Sequence, residues 1–169
     1  VICIVNSRAR SNNAERLSDR VAELFRKHGT RAETVVVDRG SELVPIARRY
    51  AESGCRTVVA AGGDGTVSSV ASALVGRQAA LGILPLGTLN HFAKDVGIPL
   101  DLDAAVDTII NGTQRLVDVG ELNGRIFINN SSLGLYPAIV RERSAHQRRG
   151  VSKWIAFARA LYTVLRRVP

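Results

Sequence analysis

Apolar residues along this chain follow two alternating rhythms. Val1-Ile2-Cys3-Ile4-Val5 is a β-branched run of strand length, suited to a central parallel strand, and it stops at the polar Asn6-Ser7-Arg8-Ala9-Arg10. Ser11 or Asn12 then stands where a helix begins. Ala14, Leu17, Val21, Leu24 and Phe25 share one face of that helix, with Gly29 just past its end. Thr34 to Val37 reads as the next strand. Ser41 to Ala51 reads as a helix carrying Pro45 in its first turns, where the ring is tolerated, and Gly54 ends it. Thr57 to Ala61 is again a compact apolar run, Val67, Val70, Ala71 and Leu74 recur at helix spacing up to Gly76, and Leu81 to Pro85 makes another short strand. Strand and helix alternating in this way predict an α/β domain, a parallel sheet covered by helices. Its ligands would bind where loops leave the carboxyl ends of the strands.

Beyond Pro99 the rhythm changes. Asp101 to Ile110 predicts a helix capped by Asp101 and closed by Gly112. Gln114 to Val119 and Arg125 to Asn129 then follow as strands around Leu122-Asn123-Gly124, and Asn-Gly between such runs is a strong hairpin signal. An antiparallel second region is therefore expected, dividing the chain into residues 1–118 and 119–169. A later helical pattern places Ile155, Ala158, Leu161, Tyr162 and Leu165 on one face. A hairpin plus a helix is too little for an independent core.

Chemistry concentrates at two turns. Gly62-Gly63-Asp64-Gly65-Thr66-Val67-Ser68 joins a strand to a helix. Glycines there allow positive φ and close approach of a ligand, and the first N–H groups of the helix have no intrahelical partner, which suits phosphate. The turn is not a Walker A loop, because no lysine is near. It is not a dinucleotide fingerprint either, because Ser68 stands where the third glycine belongs. Asp64 would repel a phosphate unless a cation intervenes, so it points to magnesium or proton transfer, or else it caps the helix. The second turn, Pro85-Leu86-Gly87-Thr88-Leu89-Asn90-His91-Phe92-Ala93, also feeds a helix, with Thr88 placed to cap it or to offer a hydroxyl to phosphate.

Composition narrows the setting. The net charge of +8 is mostly arginine and is dense from Arg141 to Arg167. It suits nucleic acid, an anionic membrane or phosphorylated substrates, and equally a solvated basic surface. With Trp154 and Phe157 inside it, that stretch reads as a membrane-surface helix or as one packed on further protein. Cys3 and Cys55 have neither metal-ligand spacing nor a disulfide framework and read as buried free thiols. A basic leader and a run of spanning length are both missing, so a soluble cytoplasmic protein is expected.

The two turns together resemble the diacylglycerol kinase catalytic domain, a family that includes sphingosine kinases and bacterial lipid kinases. Asn6, Gly97-Ile98-Pro99, Val117-Asp118-Val119-Gly120 and Phe127-Ile128-Asn129-Asn130 extend the match over almost the whole chain. The resemblance implies an ATP-binding α/β domain followed by a β-sandwich, here only begun, with magnesium-assisted transfer of the ATP γ-phosphate to a lipid hydroxyl. It places Gly62, Gly63, Asp64, Gly65, Thr66, Val67 and Ser68, together with Gly87, Thr88 and Asn90, at the nucleotide, Asn6 near it, and Asp64 at the catalytic centre. A lipid is the implied partner and nucleic acid is not expected; the basic stretch from Arg141 to Arg167 adds an anionic membrane surface as a candidate partner.

Departures from the family pattern accompany the match. Asn6-Ser7-Arg8 replaces Asn-Pro, Ser68-Ser69 replaces Asn-Glu, and Asn90-His91 replaces Asn-Asp; a histidine is not a hard oxygen ligand for magnesium. The family's Asp-Gly-Glu segment, usually assigned to the base, has no counterpart here. The chain accordingly reads as a fragment that binds nucleotide without phosphorylating lipid by itself. NAD kinase and phosphofructokinase relatives share the Gly-Gly-Asp-Gly turn and are the nearest enzymatic alternative, with a non-catalytic nucleotide-binding module as another; the second turn favours the lipid branch.

Overall fold

The computed structural model describes residues 1–7 and 14–129. The expected cap at Ser11 or Asn12, the helix pattern from Ile155 to Leu165 and the basic stretch from Arg141 to Arg167 lie outside these residues. Strands β1 (Ile2–Asn6), β2 (Glu33–Val37), β3 (Thr57–Gly62) and β4 (Ala80–Pro85) form one parallel sheet in the order β2-β1-β3-β4. Ile4 sits between Val35 and Ala60, and Ala60 opposite Ile83, which fixes the register across the centre.

Side chains alternate along each strand, so β1, β3 and β4 each feed two cores, while the edge strand β2 gives Val35 and Val37 to one of them. Cys3, Val5, Val59, Ala61 and Leu84 pack with Val21 and Phe25 of helix α1 (Ala14–Lys27) and with Ala105 and Val106 of α5 (Leu102–Asn111). Ile2, Ile4, Val58, Ala60 and Ile83 pack with Leu43 and Ala47 of α2 (Gly40–Glu52) and with Val67, Val70 and Leu74 of α3 (Asp64–Leu74). Phe92 of the short α4 (His91–Asp95) joins the second group. Covering both faces is what permits nearly continuous apolar strands. Each fully buried valine, isoleucine or phenylalanine contributes about 1.5–3 kcal/mol. The central pair β1 and β3 is therefore the rigid base from which the loops project.

The chain moves from β1 outward to β2, then returns past β1 to β3 on its other side. Helices leaving β1 and β3 are thereby sent to opposite faces, and a crevice opens at the carboxyl ends of these two strands.

Three elements differ from expectation. Helix α3 begins at Asp64, three residues early, because Gly63 is its extended N-cap (φ −87°, ψ −176°) and accepts from the N–H groups of Thr66 (2.9 Å) and Val67 (3.1 Å). Helix α4 starts after Asn90 in the left-handed region (φ 50°), so Thr88 does not cap it. The hairpin consists of β5 (Gly120–Leu122) and β6 (Arg125–Phe127), antiparallel, and residues 113–119 are exposed without regular structure. A strand at 114–119 has no ladder partner among the described residues. The hairpin turn itself is as expected: Asn123 and Gly124 both have positive φ, 51° and 73°, as a type I′ turn demands.

The Asp101 cap on α5 is present, its carboxylate accepting from the Ala104 N–H at 3.0 Å. Both cysteines are free. Cys3 is fully buried, which drives its thiol pKa far up, whereas Cys55 is only half-buried and its thiol donates to the Thr57 carbonyl at 3.2 Å. Among the described residues no helix is long and apolar enough to cross a membrane.

Candidate active site

A cleft of about 410 Å³ lies at the carboxyl end of the sheet, between the ends of β1 and β3. Asn6, Gly63, Gly65, Thr66, Gly87 and Thr88 line it, so six residues singled out from the sequence meet in one place. Gly40, Leu43 and Ser69 complete the wall. Sequence reasoning missed Gly40 and Leu43, which start the helix that follows β2, and named Ser69 only as a departure from the family pattern. A larger hollow of about 810 Å³, lined by Val1, Glu33, Tyr50 and Cys55 among others, lies at the amino ends of the strands. Open α/β sheets bind at the other end, and none of the glycine-turn residues reaches it.

The first turn is built by close packing rather than by unusual φ. None of Gly62, Gly63 and Gly65 has positive φ. A Cβ on Gly62 would overlap the Thr66 side chain. That side chain is 4% exposed, and its Oγ1 accepts from Asn6 Nδ2 at 2.8 Å. Thr66 therefore works as a strut that ties β1 to α3 across the switch point. Val67 is in the core, and its N–H is bonded to the Gly63 carbonyl, which leaves it nothing to offer a ligand. Ser68 is half-buried one turn along, while Ser69 lines the cleft and donates its hydroxyl to the Gly65 carbonyl at 2.9 Å. The N–H groups of Asp64 and Gly65 precede any intrahelical acceptor. Gly65 is exposed, and a Cβ there would meet nothing within 4 Å. Partial positive charge at the start of this 11-residue helix thus faces open space.

The second turn is pressed onto the first. A Cβ on Gly87 would strike the Gly63 Cα, and one on Gly63 would lie 3.2 Å from the Gly87 Cα. The backbones touch where both residues are glycine. Asp64 adds a bond between the turns, its Oδ1 accepting from the Phe92 N–H at 3.1 Å. The carboxylate therefore does cap a helix, but α4 rather than its own. Asn90 is 8% exposed, and its amide bonds both the N–H and the carbonyl of Gly87 (2.9 and 2.8 Å). Thr88 and His91 are exposed.

The family model described as "Diacylglycerol kinase catalytic domain" matches residues 1–122. A "Diacylglycerol kinase" of Bacillus subtilis is 37% identical over 112 residues, which is 64% of this chain and 37% of that protein. A "Probable lipid kinase YegS-like" protein of Pseudomonas syringae pv. tomato is 33% identical over 155 residues, 90% of this chain and 49% of its own. The crystal structure of a diacylglycerol kinase from Bacillus anthracis superposes with a TM-score of 0.66 at 24% identity, over 76% of this chain and 47% of that one, which shows a shared fold. The chain spans half or less of the length of these relatives. The matched residues include β1, both glycine turns and the cleft between them, and the chain belongs to the diacylglycerol kinase catalytic domain family.

Proposed function

We propose that this chain is the nucleotide-binding part of a lipid kinase that transfers the γ-phosphate of ATP to a lipid hydroxyl. In this reading residues 1–118 are the ATP-binding domain, and residues 119–169 begin the domain that receives the lipid. The observation that carries it is the cleft at the β1/β3 switch point, where the start of α3 faces open space at Gly65 and Thr88 of the second glycine turn lines the wall. Phosphates lie against the backbone of Gly63 to Gly65, with Thr88 donating from the facing turn. Gly62, Thr66, Val67 and Asn90 support that cradle from behind.

Magnesium fits one place. Among the described residues no three His, Cys, Asp or Glu side chains cluster. Magnesium commonly takes only one or two carboxylates and completes its shell with phosphates and water, so Asp64 is the residue that would hold it. When bound, the ion neutralises charge on the transferring phosphoryl group. The protein's own part is to orient the phosphates and exclude competing geometries, since phosphoryl transfer depends mainly on positioning and electrostatics. A cytoplasmic enzyme working at an anionic membrane surface fits the basic stretch from Arg141 to Arg167.

Calorimetric titration of the chain with magnesium-ADP tests the nucleotide reading, and saturable one-to-one binding is expected. Labelled ATP offered with mixed lipid micelles is expected to give no lipid product with these 169 residues alone, because acceptor positioning and its base are assigned to the remainder of a longer enzyme. Absence of nucleotide binding would sink the first claim, and lipid phosphorylation by the chain would sink the second. Salt-sensitive sedimentation with anionic but not neutral vesicles is the result expected of a membrane-facing basic stretch.

A further inference from the structure

We propose that Asn90 is a positioning residue: it clamps the second glycine turn onto the first and so sets Thr88 at the cleft, without touching the nucleotide itself. The inference rests on the nucleotide reading above and changes the role that the resemblance gave this residue.

The amide of Asn90 is committed inside the turn. An asparagine side chain has two donor hydrogens and one acceptor oxygen. Oδ1 accepts from the Gly87 N–H at 2.9 Å, while Nδ2 donates to the Gly87 carbonyl at 2.8 Å and points to the Pro85 carbonyl at 3.5 Å. Both donors are directed back into the turn, in a side chain that is nearly buried. The backbone of Asn90 is left-handed (φ 50°, ψ 48°), a region asparagine enters more readily than any residue that lacks a short polar side chain, glycine excepted. In that conformation the side chain folds back over residue 87.

Gly87 is the point on which the clamp acts. Its missing Cβ leaves room for both the Gly63 Cα and Asn90 Oδ1, and a side chain there would collide with each. With its N–H and carbonyl both held by Asn90, the peptide planes around Gly87 cannot rotate independently. Thr88 follows directly, exposed and on the cleft wall. Release of Gly87 frees Thr88 to leave its place on the cleft wall.

Three variants of the full chain test this, with residue-resolved hydrogen exchange at the Gly87 amide and magnesium-ADP calorimetry as readouts. Asn90→Gly keeps the backbone conformation and deletes the clamp. Gly87 exchange is expected to rise at least tenfold and affinity to fall about tenfold, the size of one to two net hydrogen bonds. Asn90→Asp keeps an acceptor for the Gly87 N–H but sets a carboxylate oxygen against two carbonyls, so affinity falls while Gly87 protection largely remains. Thr88→Val alone should weaken binding, and adding Asn90→Gly to it should weaken binding little further, because Asn90 acts through Thr88.

Unchanged Gly87 exchange in Asn90→Gly overturns the clamp. Lost binding with unchanged exchange in Asn90→Gly would make Asn90 a direct ligand contact, and full additivity of Asn90→Gly with Thr88→Val would break the link to Thr88. A parent chain that bound no nucleotide would defeat the nucleotide reading, and the Gly87 exchange pattern would still decide the clamp.

Discussion

Valine at position 65 separates two reasons for a glycine in this turn. On φ grounds a β-branched residue there would be strained and the protein destabilised. The structure gives a different result: Gly65 is the second residue of α3, without positive φ, exposed, and with open space where a Cβ would go. Valine is favoured over glycine in a helix by roughly 0.3–0.5 kcal/mol, so the free Gly65→Val chain should melt within about 2 °C of the parent. Its isopropyl group would nevertheless occupy the cleft in front of the Asp64 and Gly65 N–H groups. A hydrogen bond from such a donor to a charged phosphate contributes about 1.5–3 kcal/mol, so losing one weakens magnesium-ADP binding by about ten- to a hundredfold. Thermal unfolding without ligand and calorimetry with it measure the two effects apart. Gly65→Ala should be at least as stable as the parent and intermediate in affinity. Parent-like affinity in folded Gly65→Val would show that phosphates do not lie over the start of α3.

Asp64→Asn keeps an oxygen to accept from the Phe92 N–H, so its melting point should stay near the parent's while any turnover in a longer active form falls by about two orders of magnitude or more, as expected for loss of a catalytic or metal-binding charge. Asp64→Ala removes the cap as well and should cost about 0.5–2 kcal/mol in denaturant unfolding. Gly87→Ala forces a methyl against the Gly63 Cα and Asn90 Oδ1 and should destabilise by about 1–3 kcal/mol, visible in the same assay. Far from the cleft, Lys27 and then His28 bond the Asp103 carboxylate and hold its pKa below the usual range. That contribution is present above the unfolded carboxylate value of about 3.9 and is lost as pH falls through the lower folded value. The stability difference between parent and Asp103→Asn should therefore shrink between pH 5 and pH 2, roughly; a constant difference would mean the ion pair is not the cause.

The sheet was legible because β1 and β3 are apolar on both faces and the helices on one. Val1 to Val5 and Thr57 to Ala61 differ from Leu17, Val21 and Phe25 in period alone, and period suffices. The Asn123-Gly124 turn was legible because positive φ at two successive positions has few solutions. What escaped was set by contacts between distant residues. Nothing local tells Gly63 that Gly87 will lie against it, so the glycines were read for φ when their role is closeness. Nothing local tells Asp64 that the helix it caps begins 27 residues later. Gly40 was missed for the same reason: its place beside the cleft depends on the return of the chain across β1, which is a property of strand order.

Asp64 is where fold and chemistry meet, and the demands are compatible. A carboxylate carries two oxygens and about four lone-pair sites. One N–H, from Phe92, takes Oδ1 at 3.1 Å and fixes α4 to the first turn of α3. That leaves acceptor capacity on the same group without breaking the cap. An asparagine would supply the cap but no charge, and a serine is too short to reach across from one helix to the backbone of another. Because Gly63 and Gly87 are in backbone contact one residue away, the capped carboxylate is also held at the seam between the two glycine turns. A residue needed only for stability would be replaceable by asparagine, and one needed only for charge would tolerate loss of the Phe92 bond. Comparing Asp64→Asn with Asp64→Ala for unfolding and for magnesium-dependent nucleotide affinity separates these. The arrangement requires the asparagine variant to be stable but to lose the magnesium dependence. The alanine variant must lose both.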